Sequence, residues 1–429
     1  MSKQIEYIDT GVNWLGKIPS TWESKRIKML TRVKRGASPR PIDNPIYFDE
    51  EGEFAWVRIA DVTASERYLE NTTQRLSELG SSLSVKRYPD DFFLSIAGTV
   101  GKPIITKIKC CIHDGFVYFP DLKINPEFLY YIFSTGLPYL GLGKLGTQLN
   151  LNTDTVGDIY IPIPEEKEIE KIVTFLDEKV GEIDNIISRK KRLIDLFNEE
   201  RTKLINAYVI KGIKKNVKYK SSGVKWVGDI PEHWDFKKIK YVATINDEVI
   251  SEKTDEDTEI NYVEISDVDF VNGLNNFTTY RFKDAPSRAR RIANEGDILI
   301  STVRTYLKAI TRVEKKIENL IVSTGFAVLR PKEINSKYLG FIALSNFFID
   351  ETIANSVGVS YPAINSSQIG EFKIPIPPLD EQEEIVHLIE TEIEKIKGVI
   401  TKIEQELILI NEYRTSLINE VVTGKITLN

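Results

Sequence analysis

Apolar residues recur in steps of four and three, without a slip, along residues 164–212 and again along 377–424. The first stripe is Ile169, Val173, Leu176, Val180, Ile183, Ile187, Lys190, Ile194, Phe197, Arg201, Leu204 and Tyr208. The second, 213 positions later, is Gln382, Val386, Ile389, Ile393, Ile396, Ile400, Ile403, Leu407, Ile410, Arg414, Leu417 and Val421. Sustained alternation of this kind is a coiled-coil seam and predicts one long helix per stretch, each roughly 65–70 Å long. Left exposed, either stripe would promote aggregation, so the two are expected to pack on each other. A globular segment separates them, and an antiparallel pairing then closes the chain into a pseudo-two-fold object. With the axis near Arg189, Arg201 is expected to face Glu390 and Arg414 to face Asp177. Each pair would neutralise an arginine on an otherwise apolar seam.

The globular segments repeat as well. Gly11-Val12-Asn13-Trp14-Leu15-Gly16-Lys17-Ile18-Pro19-Ser20-Thr21-Trp22 returns as Gly223-Val224-Lys225-Trp226-Val227-Gly228-Asp229-Ile230-Pro231-Glu232-His233-Trp234. The tryptophans look like anchors tying an irregular lead-in segment to a core. Residues 55–62 alternate apolar and polar and answer 261–268, as half-buried strands do. Thr72-Thr73-Gln74-Arg75 answers Thr278-Thr279-Tyr280-Arg281, and the buried strand Asp91–Ser95 answers Asp297–Ser301. Ile161-Pro162-Ile163-Pro164 and Ile374-Pro375-Ile376-Pro377 close the globular parts and start the helices. The expected fold is α+β: two similar α/β globular domains joined by two long helices packed as an antiparallel coiled coil. The expected boundaries are 1–160, 161–214, 215–373 and 374–429.

Charge refines this picture. The net charge of −6 does not announce a nucleic-acid binder. Residues 1–164 carry 19 basic and 19 acidic side chains and residues 206–378 carry 24 and 22, so any basic face must be built locally. Cys110 and Cys111 are adjacent in an apolar run, which suits buried thiols rather than a disulfide or metal clip. With no leader and no apolar run near 18 residues, a soluble cytoplasmic protein is expected.

Catalytic motifs fail on inspection. Gly98-Thr99-Val100-Gly101-Lys102-Pro103 resembles the end of a phosphate loop, but Ile96 stands where the earlier glycine belongs and Pro103 where a Ser or Thr would hold magnesium. Asp43-Asn44-Pro45-Ile46-Tyr47 lacks the second proline of an amino-methyltransferase loop. Pro89-Asp90 has no acidic-x-Lys partner on a nearby strand, and His113, His233 and His387 are scattered. No catalysis, metal or cofactor is expected on this chain.

What remains is polar, basic and aromatic surface. In the first half Arg35, Arg58, Arg67, Arg75, Lys86, Arg87, Lys102 and Gln148 are candidates, the last in the loop Gly146–Asn152. In the second they are Arg281, Arg288, Arg290, Arg291, Arg304, Tyr306 and Lys308, with Asn365–Gln368 near the place of the loop. Phosphates demand cations, and base edges favour Arg, Lys, Asn and Gln. Turn-making competes with base reading for the amides, and solvation competes for most of the charges.

The duplicated Ile-Pro-x-x-Trp, and Ile374-Pro375-Ile376-Pro377-Pro378-Leu379-Asp380-Glu381-Gln382-Glu383-Glu384-Ile385 running into a long helix, resemble the specificity subunit of type I restriction-modification systems. In the first half the Pro-Leu-x-Glu-Gln signature is degraded to Glu165-Glu166-Lys167-Glu168-Ile169. The resemblance spans essentially the whole chain. It implies that each domain reads one half of a split site on double-stranded DNA, and that the helices set the spacer and dock two methyltransferase subunits. Motor-nuclease subunits would join through the complex, and S-adenosylmethionine, ATP and magnesium would sit on those partners. A non-catalytic adaptor binding proteins through two domains on a rod is the alternative.

Overall fold

The computed structural model describes residues 6–142, 151–358 and 360–428. It divides into two compact units, residues 1–189 with 406–429, and residues 190–405. Each contains a globular domain and one half of each long helix, Glu166–Lys211 and Leu379–Val422.

In the first unit the two larger sheets are built from β1 (Lys34–Arg35), β2 (Phe54–Val57), β3 (Tyr68–Leu69), β4 (Gln74–Leu76), β5 (Val85–Arg87), β6 (Phe92–Ser95), β7 (Pro103–Thr106), β8 (Cys110–Ile112) and β9 (Phe116–Tyr118). They form a five-stranded sheet, β1-β9-β6-β7-β3, and a four-stranded sheet, β4-β2-β8-β5, in which β2 and β8 run parallel. Alternation along β6 sorts its side chains between two cores. Phe93 joins Val57, Ile104, Cys110 and Phe116, whereas Phe92 and Leu94 join the helix Pro126–Ser134 and the start of the first long helix. That short helix begins at Asn125, whose Oδ1 accepts the Glu127 N–H at 2.8 Å. Burial raises the Cys110 and Cys111 thiols to about 12 and about 11, so both stay protonated and inert.

The second unit repeats the plan with β10 (Ala243–Ile245), β11 (Glu259–Val263), β12 (Thr278–Arg281), β13 (Ala289–Ile292), β14 (Ile298–Ser301), β15 (Ile310–Arg312), β16 (Leu320–Ser323) and β17 (Phe326–Pro331). Its two larger sheets are β10-β17-β14-β15 and β12-β11-β16-β13. Again one strand feeds two cores: Leu299 faces Val322 and Phe326, while Ile298 and Ile300 face the helix side. Asn335 caps the helix Ser336–Ala343 as Asn125 does its counterpart.

The second tryptophan of each repeat, Trp22 and Trp234, closes a clamp on the long helices, whereas of the first pair Trp14 is buried and Trp226, expected to be an anchor, is 49% exposed. In the second unit the Trp234 indole N–H donates to Glu381, in the first turn of one long helix, at 3.2 Å. Gly212, at the C-terminus of the other, lies against the same ring with φ +70°. The first unit has the matching set: Trp22 donates to Glu168 at 2.8 Å, and Gly424, φ +70°, sits on Pro19 and Trp22. A Cβ on Gly424 would come within 2.6 Å of the Pro19 ring, so glycine is required for both conformation and space. Gln382 extends the clamp, donating to the Pro377 carbonyl and accepting from the Asn335 N–H, both at 2.8 Å. Ile169 takes its place in the first unit, which is why the signature looks degraded there.

Glu381 is 1% exposed and is bound also by His233 at 2.8 Å and Lys214 at 3.1 Å. Burial alone would raise its carboxyl, but the donors from His233, Lys214 and Trp234 outweigh it and hold the value below the ordinary one. The folded state therefore releases this proton at lower pH than the unfolded chain does. The resulting stability is present above the unfolded value, about 4.3, and is lost as pH falls through the folded one. Glu381→Gln is expected to flatten the acid limb of a stability-versus-pH curve of the second unit. An unchanged limb would contradict this assignment.

All twenty-four seam positions are buried or half-buried. The pairing is antiparallel within each unit: Ile169, Leu176 and Ile183 cluster with Leu417 and Val421 in one, and Ile205 and Val209 with Ile385 and Ile389 in the other. Towards their ends the helices bury a second row, Ile172, Ile205, Val209, Ile385, Ile418 and Val422, because the globular domain covers another side there.

The arginine pairing is corrected by one heptad. Arg414 does not meet Asp177; it grips Asp184 through two hydrogen bonds of 2.7 and 3.2 Å. Asp177 is already occupied by Arg67 and Tyr131 from the globular domain. Arg201 does not pair with Glu390, which binds Lys337 instead. The repeat equivalent of Asp184 is Lys397, and Arg201 donates instead to the Val271 carbonyl at 2.8 Å. A double-mutant cycle on Arg414 and Asp184 is expected to give a coupling of about 1 kcal/mol, since both are partly exposed. Coupling between Arg414 and Asp177 instead would restore the other register.

Candidate nucleic-acid interface

In the first unit a wide cleft of about 1110 Å³ opens on the outer face of the four-stranded sheet. Arg58, Gln74, Arg75, Trp56 and His113 line it, together with the acidic Asp43, Asp49 and Asp114. Arg58 follows β2 directly; its backbone N–H donates to Asp61 at 2.8 Å, and its guanidinium binds the Gln74 side-chain oxygen. Arg75 is held by the Gly52 and Glu53 carbonyls, which fixes its position without neutralising it. Burial lowers the His113 pKa, and its Nδ1 accepts from the Gly115 N–H at 2.8 Å. The neutral ring therefore carries its proton on Nε2. Trp56, Gln74 and His113 were not singled out from the sequence, because only the strand register brings them beside Arg58.

Strand register fixes the equivalent place in the second unit. Ala55 pairs with Cys110, and Asn261 with Leu320, so Trp56 corresponds to Tyr262 and Arg58 to Glu264. Gln74 pairs with Trp56 and Thr278 with Tyr262, so Thr278 takes the place of Gln74, two residues from the match that the sequences suggest. Glu264 is exposed, and its backbone N–H donates to Asp267 at 2.8 Å, as that of Arg58 does to Asp61. One backbone frame thus presents a guanidinium in one domain and a carboxylate in the other.

The remaining candidates divide by whether their charge is already used. Arg67 is enclosed by Glu127, Asp177 and the Tyr68, Tyr130 and Tyr131 rings. Its guanidinium pKa ends up raised: burial opposes the charge, but Asp177, Tyr131 and Glu127 outweigh it. It braces the domain against the long helix rather than offering a free cation. Arg87 is largely covered over Tyr118 and near Asp91, and Lys102 is tied to the Thr63 and Ser65 carbonyls. Arg281 shares Asp257 with Lys283. Arg291 donates to Asn246 at 2.8 Å, and Arg290 to the Ala289 carbonyl at 3.0 Å. Arg35 binds the Asp114 carbonyl, Lys86 lies over the Phe54 ring, and Arg288 is exposed. Arg304, Tyr306 and Lys308 share one exposed turn between β14 and β15.

Gln148 lies outside the described residues. In the second half Gln368 accepts from the Asn365 N–H at 3.1 Å, so this amide makes the turn into the helix Ser366–Glu371. Gly98–Pro103 joins two strands and opens no helix, and Asn44 accepts from the Ile46 N–H to cap a single turn. Among the described residues no cluster of His, Cys, Asp and Glu is arranged to hold a metal, and no helix is long and apolar enough to cross a membrane.

The sequence profile of the family described as type I restriction modification DNA specificity domain matches the chain twice, over residues 19–195 and 231–407. The chain is 22% identical over 438 residues to the specificity subunit of the type I restriction enzyme MjaVIII of Methanocaldococcus jannaschii, covering 96% of this chain and 94% of that one. It is 21% identical over 435 residues to the EcoDI specificity subunit of Escherichia coli, covering 96% and 90%. A solved structure described as "Structural basis underlying complex assembly and conformational transition of the type I R-M system" superposes with a TM-score of 0.60 at 16% identity, over 95% of this chain and 99% of that one, and shares its fold. Two matched frames, two family matches and relatives aligned almost end to end agree: the chain belongs to the type I restriction-modification DNA specificity family and carries two of its recognition domains in tandem.

Proposed function

We propose that this chain is the DNA-recognition and scaffold subunit of a type I restriction-modification complex and performs no catalytic step itself. Each globular domain reads one half of a bipartite target in double-stranded DNA. The long helices set the spacer between the halves and dock two methyltransferase subunits, and motor-nuclease subunits join through the complex. The observation that carries this reading is the shared frame with opposite chemistry, Arg58 in one domain and Glu264 in the other. Two readers built alike but faced differently suit two unlike half-sites. Arginine matches the guanine O6 and N7 acceptors, and a carboxylate matches the cytosine amino group. Docking is supported by large apolar side chains left exposed on the helices: Ile186, Ile408, Leu409 and Tyr413 in the first unit, and Leu193, Leu196 and Val399 in the second.

The test is DNA binding by the complex of this chain with its methyltransferase subunits, measured across salt concentrations. The expected logarithmic slope is about −0.9 per phosphate neutralised, with a clear preference for one split sequence over random duplex. Binding without salt dependence or sequence preference would favour the adaptor reading.

A further inference from the structure

The turn between β14 and β15 is built on two left-handed residues, Arg304 (φ +50°) and Lys308 (φ +53°). Register identifies their counterparts in the first unit. Ser95 and Ser301 end the matching strands, and Gly98 and Arg304 each stand three residues further on. Pro103 pairs with Leu94, and Ile310 with Ile300, so Gly101 and Lys308 each stand two residues before the return strand. Gly98 (φ +61°) and Gly101 (φ +84°) meet the left-handed requirement with glycine, the residue that adopts it without steric cost. The second unit meets it with two long cationic side chains. Each such substitution disfavours the folded turn by a factor of about 5 to 30.

The surroundings hold the turn in place despite that cost. Val303 bridges to Ala363, the buried Thr305 hydroxyl meets the Ser356 hydroxyl at 2.8 Å, and the Leu307 N–H donates to the Arg304 carbonyl at 2.8 Å. The side chains themselves point outward. Arg304 lies 5.1 Å from the centre of the Tyr361 ring, Lys308 lies 5.8 Å from that of Phe270, and neither has a carboxylate partner among the described residues. Tyr306 between them is 52% exposed. Folding gains from these two cations only the two exposed ring contacts and no ion pair, while glycine would serve the backbone better.

We infer that the turn from Val303 to Lys308 is a DNA-backbone contact of the second domain, with Arg304 and Lys308 each neutralising a phosphate beside its half-site. This rests on the DNA-recognition reading above and adds a contact that the first domain, with glycines there, does not make. Phosphates suit the geometry, because two charges on a fixed turn position a domain without reading letters.

The experiment compares the intact methyltransferase–specificity complex with Arg304→Gly/Lys308→Gly and Arg304→Gln/Lys308→Gln complexes, using a duplex that carries the split site. For both variants the salt slope is expected to flatten by about 1.8 units, with the preferred letters of both half-sites unchanged. The glycine variant is expected to melt no lower than the parent, since it relieves two strained residues. The glutamine variant keeps the side-chain length and decides the matter if the glycine variant folds poorly. An unchanged slope in a folded variant would overturn the inference. A parent complex with no split-site preference would overturn the recognition reading instead.

Discussion

Trp234→Ala is expected to destabilise the second unit by about 3–5 kcal/mol, measured by denaturant unfolding. The ring is fully buried and is the meeting point of three chain segments: its own lead-in segment, Glu381 and Gly212. Its removal leaves a cavity under both long helices and one donor fewer on a carboxylate that is 1% exposed. Trp234→Phe keeps much of the packing, and Lys214 and His233 still hold Glu381, so its cost is expected near 1 kcal/mol. The equivalent Trp22→Ala should act on the first unit through Glu168 and Gly424. A loss below about 1 kcal/mol for either alanine variant would mean that the tryptophans are not clamps.

Inserting seven residues into both long helices, after Arg189 in one and after Gln405 in the other, is expected to lengthen the preferred spacer by about three base pairs. Seven residues keep the heptad seam in phase and add about 10.5 Å per helix, against about 3.4 Å per base pair. Both points lie at the boundary between the two compact units, so neither domain is altered. The half-site letters should stay as they were, because no reading residue changes. An insertion in one helix alone keeps the heptad phase but leaves the two helices unequal in length, and is expected to reduce stability rather than shift the spacer. A doubly extended protein that kept the original spacer would remove the ruler role while leaving recognition intact.

The long helices and the repeat were legible because both are periodic. Every expected seam residue lost solvent exposure, and the strands matched by sequence occupy matching places in the two sheets. The partner of Arg414 was not legible. A seam repeats every seven residues, so registers one heptad apart satisfy it equally, and the decision came from Arg67 taking Asp177. That contact joins residues 110 apart in the chain, and no local pattern encodes it. The candidate cleft was partly legible for the same reason. Arg58 and Arg75 were visible as cations, but their placement beside Gln74 and His113 depends on strand pairing. Glu264 was invisible to a search for basic residues, although aligning the two copies strand by strand sets it opposite Arg58. Arg304 and Lys308 looked like ordinary surface charges until backbone dihedrals set them against Gly98 and Gly101.

Mapping methylated bases on DNA modified by the complete methyltransferase bearing this chain tests the central claim most directly. The account predicts one motif of two unlike short halves separated by a fixed number of unspecified base pairs, with a modified base in each half. A continuous motif, two identical halves, or a spacer of variable length would contradict it.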